Sequence, residues 1–492
     1  MTGEEVFPQS LETGLTNATQ GLAMKYKHAL ALNPYLRDST ATMGIFPPTG
    51  LEYIAASMKD LVDRITLLDL RYEQEYQDVD ILSDFIKKEI DLICISITWN
   101  SRFDAVCNLI RKLPDGVTTV VGGNKATLDV ESLFDKCPNI DVVVRGEGEE
   151  TIRDFIRGMS LKDILGISYR ENGTVIHNKI RPSPDIFPAA FPDRSLRRHP
   201  YHAMLGGVRI TNLTFDTVLS SKGCPYRCKF CTFNLNPLGQ KMKYTERPLE
   251  SVMEEIKSIT ADVIMFSDDN FFTNPERSKM LCDLIIENGI RKIFIVQTRI
   301  EIARDEDLLR KAEKAGFKIF LVGIESPHDK ILKQFDKGFT QRQVREAFRV
   351  LNKYKFFIHG YFIYGNIGET EEEMVYIAQF AKELKLDSIS FQKLRVDKFS
   401  PLKKVIENTP GYHYTSTHGS VYSERHSLKD LKRIRTRIKF KFYTVGQLVK
   451  IVRKACRIQL LTKPELFHII VRLPNTLCKV LIKELKKKAL PG

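Results

Sequence analysis

Ser221-Lys-Gly-Cys-Pro-Tyr-Arg-Cys-Lys-Phe-Cys231 is the stretch on which the reading of this chain turns. It places Cys224, Cys228 and Cys231 at i, i+4 and i+7. Three thiolates in one short loop can grip one small inorganic cluster. Thiolates are the usual ligands of iron–sulfur clusters, which normally take four. Here the loop supplies three and no fourth follows nearby, which leaves one metal position open for chemistry. A structural zinc site wants four ligands in two pairs. No second pair follows, and the distant His202 and His359 have no spacing that supports them as ligands.

Downstream of the loop, strand-like and helix-like runs alternate. Strand candidates are 215–220, 263–267, 293–298, 318–323, 357–365 and 388–392. Helix candidates are 249–259, 278–288, 306–315, 340–354 and 370–384. Six such units predict a partial (β/α) barrel, whose chemistry lies at the carboxyl ends of its strands. Those ends read Ser267-Asp268-Asp269, Gln297-Thr298-Arg299 and Gly323-Ile324-Glu325-Ser326. Acidic residues at a strand end could instead cap the next helix, but the barrel mouth favours a binding role. Thr370 with Glu373 reads as a helix start.

The first 150 residues alternate in the same way, with apolar runs at 28–33, 65–70, 91–97, 118–123 and 141–144. This predicts a doubly wound, Rossmann-like parallel sheet. Ligands of such sheets bind beyond the carboxyl ends of the strands. Here these are Thr98-Trp99-Asn100, Gly122-Gly123-Asn124-Lys125 and Arg145-Gly146-Glu147-Gly148-Glu149. Any one of these glycines could simply turn the chain; as a set they let a ligand approach the backbone.

The Cys-x3-Cys-x2-Cys loop, with Phe230 before its last cysteine, resembles the signature of the radical S-adenosylmethionine enzymes. The runs starting at Pro47 (Pro-Pro-Thr-Gly-Leu-Glu-Tyr-Ile-Ala-Ala), Val120 (Val-Val-Gly-Gly-Asn-Lys-Ala-Thr) and Val144 (Val-Arg-Gly-Glu-Gly-Glu-Glu-Thr) resemble the cobalamin-binding-type domain fused to many of them. Class B radical methyltransferases and magnesium-protoporphyrin cyclases are such fusions. The resemblance spans roughly residues 25–400. It implies a 4Fe–4S cluster on the three cysteines and S-adenosylmethionine on the open iron. Reductive cleavage would then give a 5′-deoxyadenosyl radical, with flavodoxin or ferredoxin as electron donor.

By the same resemblance, Ser267 and Asp268 would hold the cofactor amine, with Phe230 beside it. Gln297 and Arg299 would face its carboxylate or the substrate, and Glu325 with Ser326 its ribose. Trp99, Gly122, Gly123, Lys125 and Gly146 would border cobalamin. Two departures concern the cobalamin-type domain. It has no Asp-x-His-x-x-Gly motif, hence no histidine for the lower cobalt face, and Lys125 stands where relatives often carry histidine. In the barrel, Ile367 replaces the proline of a Gly-x-Pro-Gly-Glu-Thr turn. The expected activity is cobalamin-dependent methylation of an unactivated carbon on a hydrophobic substrate. Rivals are a radical cyclase or coupling enzyme, a tRNA-modifying radical enzyme, and a non-catalytic cluster-bearing sensor. The tRNA group usually carries three more N-terminal cysteines, whereas Cys94, Cys107 and Cys137 stand in unrelated contexts.

Composition sets the outer limits. At 492 residues, 43% hydrophobic and 28% charged, the chain can fill about three domains of ~150 residues. The expected map is a tail at 1–24, the cobalamin-binding-type domain at 25–160 and a linker at 161–210. The barrel follows at 211–400 and a basic, mainly helical region at 401–492. The first residues are polar and mixed, and no 18-residue apolar run occurs, so neither a leader nor a spanning helix is expected. Nine cysteines in mostly apolar contexts read as free thiols in a reducing cytoplasm. The net charge of +14 is local: residues 425–492 carry 19 Lys and Arg against 3 Asp and Glu, and the rest is nearly neutral. Leu477, Leu481 and Leu485 share one helical face among lysines. This predicts a basic amphipathic segment resting on the inner face of an anionic membrane. A solvated face packed on the barrel is the plainer alternative, and aliphatic interleaving makes nucleic acid a weaker partner.

Overall fold

The computed structural model describes residues 25–35, 45–98, 102–182, 191–205, 208–232, 235–236, 238–416, 418–467 and 471. Two seven-stranded sheets organise them. In the first, β1 (His28–Asn33) is buried along its whole length, as a parallel strand covered on both faces must be. It is flanked by β2 (Arg64–Asp69) and β3 (Leu92–Ser96), and β4 (Thr118–Gly122) and β5 (Val142–Val144) continue the parallel order. Helices α1 (Thr49–Met58), α2 (Val79–Glu89), α3 (Phe103–Ile110), α4 (Asn124–Leu128), α5 (Val130–Lys136) and α6 (Glu149–Ile156) connect them. Leu82, Ile86 and Leu133 pack on one face of the sheet, and Ala55, Met58 and Phe155 on the other. This is the expected doubly wound arrangement.

The stretch 161–210 is less a linker than the sequence suggested. β6 (Ile167–Glu171) and β7 (Thr174–His177) form an antiparallel hairpin that extends the first sheet. Asn172 (φ 51°) and Gly173 (φ 79°) form its two-residue turn, the pair that suits the twist of a tight hairpin. β8 (His202–Leu205) then joins the second sheet, antiparallel to β9 (Val208–Val218).

β10 (Ser221–Lys222) and β11 (Thr245–Glu246) pair across the cysteine loop. The second sheet continues through β12 (Val263–Phe266), β13 (Ile293–Thr298), β14 (Phe317–Glu325), β15 (Phe357–Tyr364) and β16 (Ser388–Lys393). With β9 these give six parallel strands, an open half-barrel. Its outer helices are α7 (Leu249–Ser258), α8 (Pro275–Glu287), α9 (Glu306–Ala315), α10 (Asp329–Gln334), α11 (Gln341–Leu351) and α12 (Glu371–Glu383). One apolar core joins them to the sheet, centred on Phe266, Phe294, Phe317 and Phe320.

After α13 (Leu402–Glu407) and the short hairpin β17 (Tyr412–Tyr414) and β18 (Val421–Ser423) come the basic helices α14 (Leu428–Phe442) and α15 (Val445–Arg457). Leu431, Ile434, Ile438 and Phe442 of α14 enter the barrel core, so its cations face outward. Two of them, Arg433 and Arg437, pair with Glu371 on α12. The plainer alternative therefore holds for α14. Leu477, Leu481 and Leu485 lie outside the described residues.

Six buried charges fasten the two sheets together. Arg197 forks onto Glu52 of α1 at 2.6 and 2.7 Å and onto Asp216 of β9 at 2.7 and 2.9 Å. Arg194 bridges Asp216 and Glu255 of α7 at 2.8 and 2.6 Å, and Arg247 also pairs with Glu255. Burial pushes the Glu52 carboxyl up, whereas Arg197 and Arg194 hold Asp216 below its usual value against the same burial.

Candidate active site

Gly223 opens the cysteine loop with φ +76°; a Cβ there would stand 2.9 Å from the Lys243 carbonyl oxygen, so only glycine fits the turn. The loop is fixed at its far end by Lys229 N–H donating to the Phe335 carbonyl at 2.9 Å and Cys231 N–H to the Cys228 carbonyl at 3.0 Å. Phe230 packs on Phe335 with ring centroids 4.8 Å apart. Cys228 is buried, and Cys224 and Cys231 are half-buried. All three line one cavity of about 510 Å³ at the mouth of the barrel.

The donor set fits an iron–sulfur cluster. Among the described residues, no three His, Cys, Asp or Glu side chains converge on a single ion. A four-iron cluster takes each thiolate on a different iron, so its ligands stand further apart than those of one ion. Opposite the cysteines, Asn270 Oδ1 is buried without a hydrogen-bond partner, beside Asp269 on the cavity wall. These are acceptors for an ammonium group such as that of S-adenosylmethionine. Burial and the neighbouring Asp268 raise the Asp269 carboxyl to about 6.

The residues expected to hold the amine, Ser267 and Asp268, do not line this cavity. Asp268 is fully buried, and its carboxylate accepts from Ser220 N–H at 2.8 Å, Ser220 Oγ at 2.6 Å and Ser221 Oγ. It braces the strand that leads into the cysteine loop. Ser267 faces the other cavity, described below. Past the end of β12 at Phe266, Asp269 and Asn270 both line the cluster cavity.

Gln297 lines the cluster cavity, as do Arg299 and Glu325. Glu325 holds φ at +69°, a strained backbone for a residue with a Cβ. Its Oε1 accepts from Lys337 Nζ at 3.0 Å, and a Cβ on Gly323 would meet that oxygen at 2.7 Å. Among the described residues no donor meets the remaining Glu325 oxygen, which suits a hydroxyl donor from ribose. Ser326, expected beside it, is buried away from the cavity and accepts from His328 N–H at 3.1 Å. Lys337, Tyr226, Tyr361 and Gln392 also line it, and sequence reading missed all four. The one signal was Asp336-Lys337-Gly338, whose flanking residues both turn at positive φ.

The second cavity, about 680 Å³, lies between the two sheets. Gly50, Gly122, Gly123, Gly146 and Gly148 give it a wall of bare backbone, and Met265, Ser267 and Thr217 close it from the barrel side. Gly123 has φ +100°, and a Cβ there would stand 2.6 Å from the Ile97 carbonyl oxygen. Thr49 Oγ1 meets Thr217 Oγ1 at 2.6 Å across the seam, and Lys222 Nζ meets Glu147 at 3.2 Å. A large flat cofactor needs such a side-chain-free cradle, so the cavity fits cobalamin. No histidine borders it among the described residues, in keeping with the missing motif. Lys125 departs from expectation: it pairs with Asp129 and lies 4.8 Å from the Phe103 ring, off the cavity wall. Trp99 lies outside the described residues.

Residues 218–381 match the radical SAM superfamily and residues 40–156 the B12 binding domain. The chain is 30% identical over 359 residues to an uncharacterized methyltransferase of Pyrococcus horikoshii, covering 70% of this chain and 75% of that protein. It is 28% identical over 326 residues to the anaerobic magnesium-protoporphyrin IX monomethyl ester cyclase of Synechocystis, covering 63% of this chain and 62% of the cyclase. Its fold is similar to that of the radical S-adenosylmethionine methyltransferase TsrM of Kitasatospora setae, solved with cobalamin and a 4Fe–4S cluster bound. That match has a TM-score of 0.63 at 17% identity and covers 79% of this chain and 77% of TsrM. With both modules matched in this order and most of the Pyrococcus relative aligned, the chain belongs to the radical SAM superfamily, in the group that carries an N-terminal B12 binding domain.

Proposed function

We propose that this radical SAM enzyme methylates an unactivated carbon of a largely apolar substrate, with cobalamin as the methyl carrier. The observation that carries this reading is the segment 265–270. Met265 and Ser267 face the interdomain cavity, whereas Asp269 and Asn270 face the cluster cavity. One strand end thus serves both cofactor sites. When bound, the cluster with S-adenosylmethionine supplies a hydrogen-abstracting radical, and cobalamin supplies the methyl group. Asn270 and Asp269 would orient the amine, and Glu325, fixed by Lys337, the ribose. Met265 on the interdomain cavity and Leu321 on the cluster cavity give apolar strand surface, and Tyr361 and Gln392 add polar groups to the cluster cavity. This supports a substrate with an apolar body and a polar end.

Anaerobic reconstitution with iron, sulfide and cobalamin tests the reading. The expected result is 5′-deoxyadenosine release together with transfer of a labelled methyl group from S-adenosylmethionine to a lipid or tetrapyrrole. Protein that binds iron but no cobalt would overturn methylation and leave the cluster chemistry standing. The likeness to the cyclase favours a second reading, ring closure by the same modules. Its product would carry no transferred methyl.

Two partners belong to this reading. A one-electron donor such as flavodoxin or ferredoxin would dock near the half-buried Cys224 and Cys231. An anionic membrane surface suits α15. Spaced by about 100° per residue, Val445, Leu448 and Val449 form an exposed apolar stripe (80%, 48% and 43% exposed) opposite the packed Gln447. Lys450, Arg453 and Arg457 flank the stripe, the pattern of a helix lying at a charged interface. No helix among the described residues is long and apolar enough to cross a membrane. Sedimentation with anionic vesicles, lost on Leu448→Ser with Val449→Ser, would support surface binding; equal recovery without vesicles would remove it.

A further inference from the structure

Arg299 follows β13 and is only 6% exposed, and nearly all of its donors have named partners. Nε donates to both Glu301 oxygens at 3.1 and 3.2 Å. Nη2 donates to Glu301 Oε1 at 2.7 Å and to the Lys337 carbonyl. The plane of the guanidinium is held against Tyr226, whose ring centroid lies 3.8 Å away, with Phe339 at 5.2 Å. Nη1 points at the sulfur of Cys228, 3.3 Å away. A side chain fixed on this many sides cannot swing to a ligand carboxylate without breaking the Glu301 fork.

We propose that Arg299 is a positioning residue that sets the reduction potential of the cluster through Cys228, and that it is not the anchor of the cofactor carboxylate. A cationic hydrogen bond to a thiolate ligand stabilises the cluster more in its reduced, more negative state. It therefore raises the potential. The planar fork of arginine makes this arrangement possible: one edge meets Glu301 while the remaining nitrogen addresses sulfur, which a lysine ammonium cannot do. Glu301 and Tyr226 act one step further out, keeping the donor aimed.

The inference rests on the cluster reading, and iron and sulfide content of the wild-type protein tests that reading separately. The deciding experiment is a potentiometric titration followed by electron paramagnetic resonance, without S-adenosylmethionine, on the reconstituted full chain. Arg299→Met should keep its iron and show a more negative midpoint. At the wild-type midpoint its reduced-to-oxidised ratio should fall about tenfold, equivalent to about 59 mV for one electron. Arg299→Lys should fall between the two. A full cluster with an unchanged midpoint in Arg299→Met overturns the proposal. If that same variant instead blunts the spectral change on adding S-adenosylmethionine, Arg299 serves the ligand. Should Arg299→Met fail to take up a cluster, Glu301→Gln decides. A smaller shift in the same direction supports the proposal, and an unmoved midpoint overturns it.

Discussion

Gly123 marks the limit of what the cobalamin cradle tolerates. Its φ of +100° lies where a Cβ is strained, and the Ile97 carbonyl oxygen would stand 2.6 Å from that Cβ. Gly123→Ala should cost about 1–3 kcal/mol for the backbone alone, because φ 100° with ψ 172° is a region essentially reserved for glycine. The same displacement should abolish the cobalamin absorbance while iron per chain stays at the wild-type value, because the cysteine loop belongs to the other sheet. Optical spectra and metal analysis of one preparation check both halves. His359 gives a residue-scale prediction of another kind. It lies on β15, bonds Ser388 Oγ at 2.7 Å, and burial lowers its imidazole from 6.5 to about 4. The unfolded chain therefore binds the extra proton between these values. The stability contribution of neutral His359 is present above pH 6.5 and declines as pH falls towards about 4. Melting temperatures across that window should fall more steeply for the wild type than for His359→Gln; parallel curves would count against the buried neutral imidazole.

Among the elements, α14 shows how charge can mislead. Its sequence is dense in Lys and Arg, yet Leu431, Ile434, Ile438 and Phe442 recur at the spacing of one helical face and are all buried. Ile438→Ala should cost about 2–5 kcal/mol, read as a lowered melting temperature, whereas neutralising the outward Lys439 should leave it near the wild-type value. The strand–helix order of both sheets was legible because apolar runs and helical stripes have different periods. The three cysteines were legible because their spacing is local. What could not be read was side-chain direction past strand ends. Asp268 turns in to Ser220 and Ser221 while Asp269 and Asn270 both line the cavity, a loop geometry past the end of β12 that strand alternation does not encode. Lys337 was hidden for another reason: it reaches Glu325 from a turn after α10, a contact that no periodicity encodes. The Asn172-Gly173 turn, by contrast, was a plain hairpin signal inside a stretch read as linker.

At the scale of the molecule, the cobalamin cavity exists only while the two sheets keep their relative placement. Arg197 is the side chain that touches both, Glu52 from the first sheet's α1 and Asp216 from the half-barrel. Removing one member of a buried ion network leaves its partners charged and unpaired, at about 3–5 kcal/mol. In Arg197→Met, Asp216 keeps Arg194, so most of that cost falls on Glu52, which has no second guanidinium within bonding range among the described residues. The expected outcome is a lowered melting temperature with loss of cobalamin binding, whereas the iron content stays, because every cysteine ligand lies within the half-barrel. Adding Glu52→Gln removes the stranded charge and should recover part of both losses. This rescue separates a specific ionic seam from general damage. If the double variant melts below Arg197→Met, or if iron and cobalamin are lost together, the two cavities are not mechanically separable and the seam does not act as a latch.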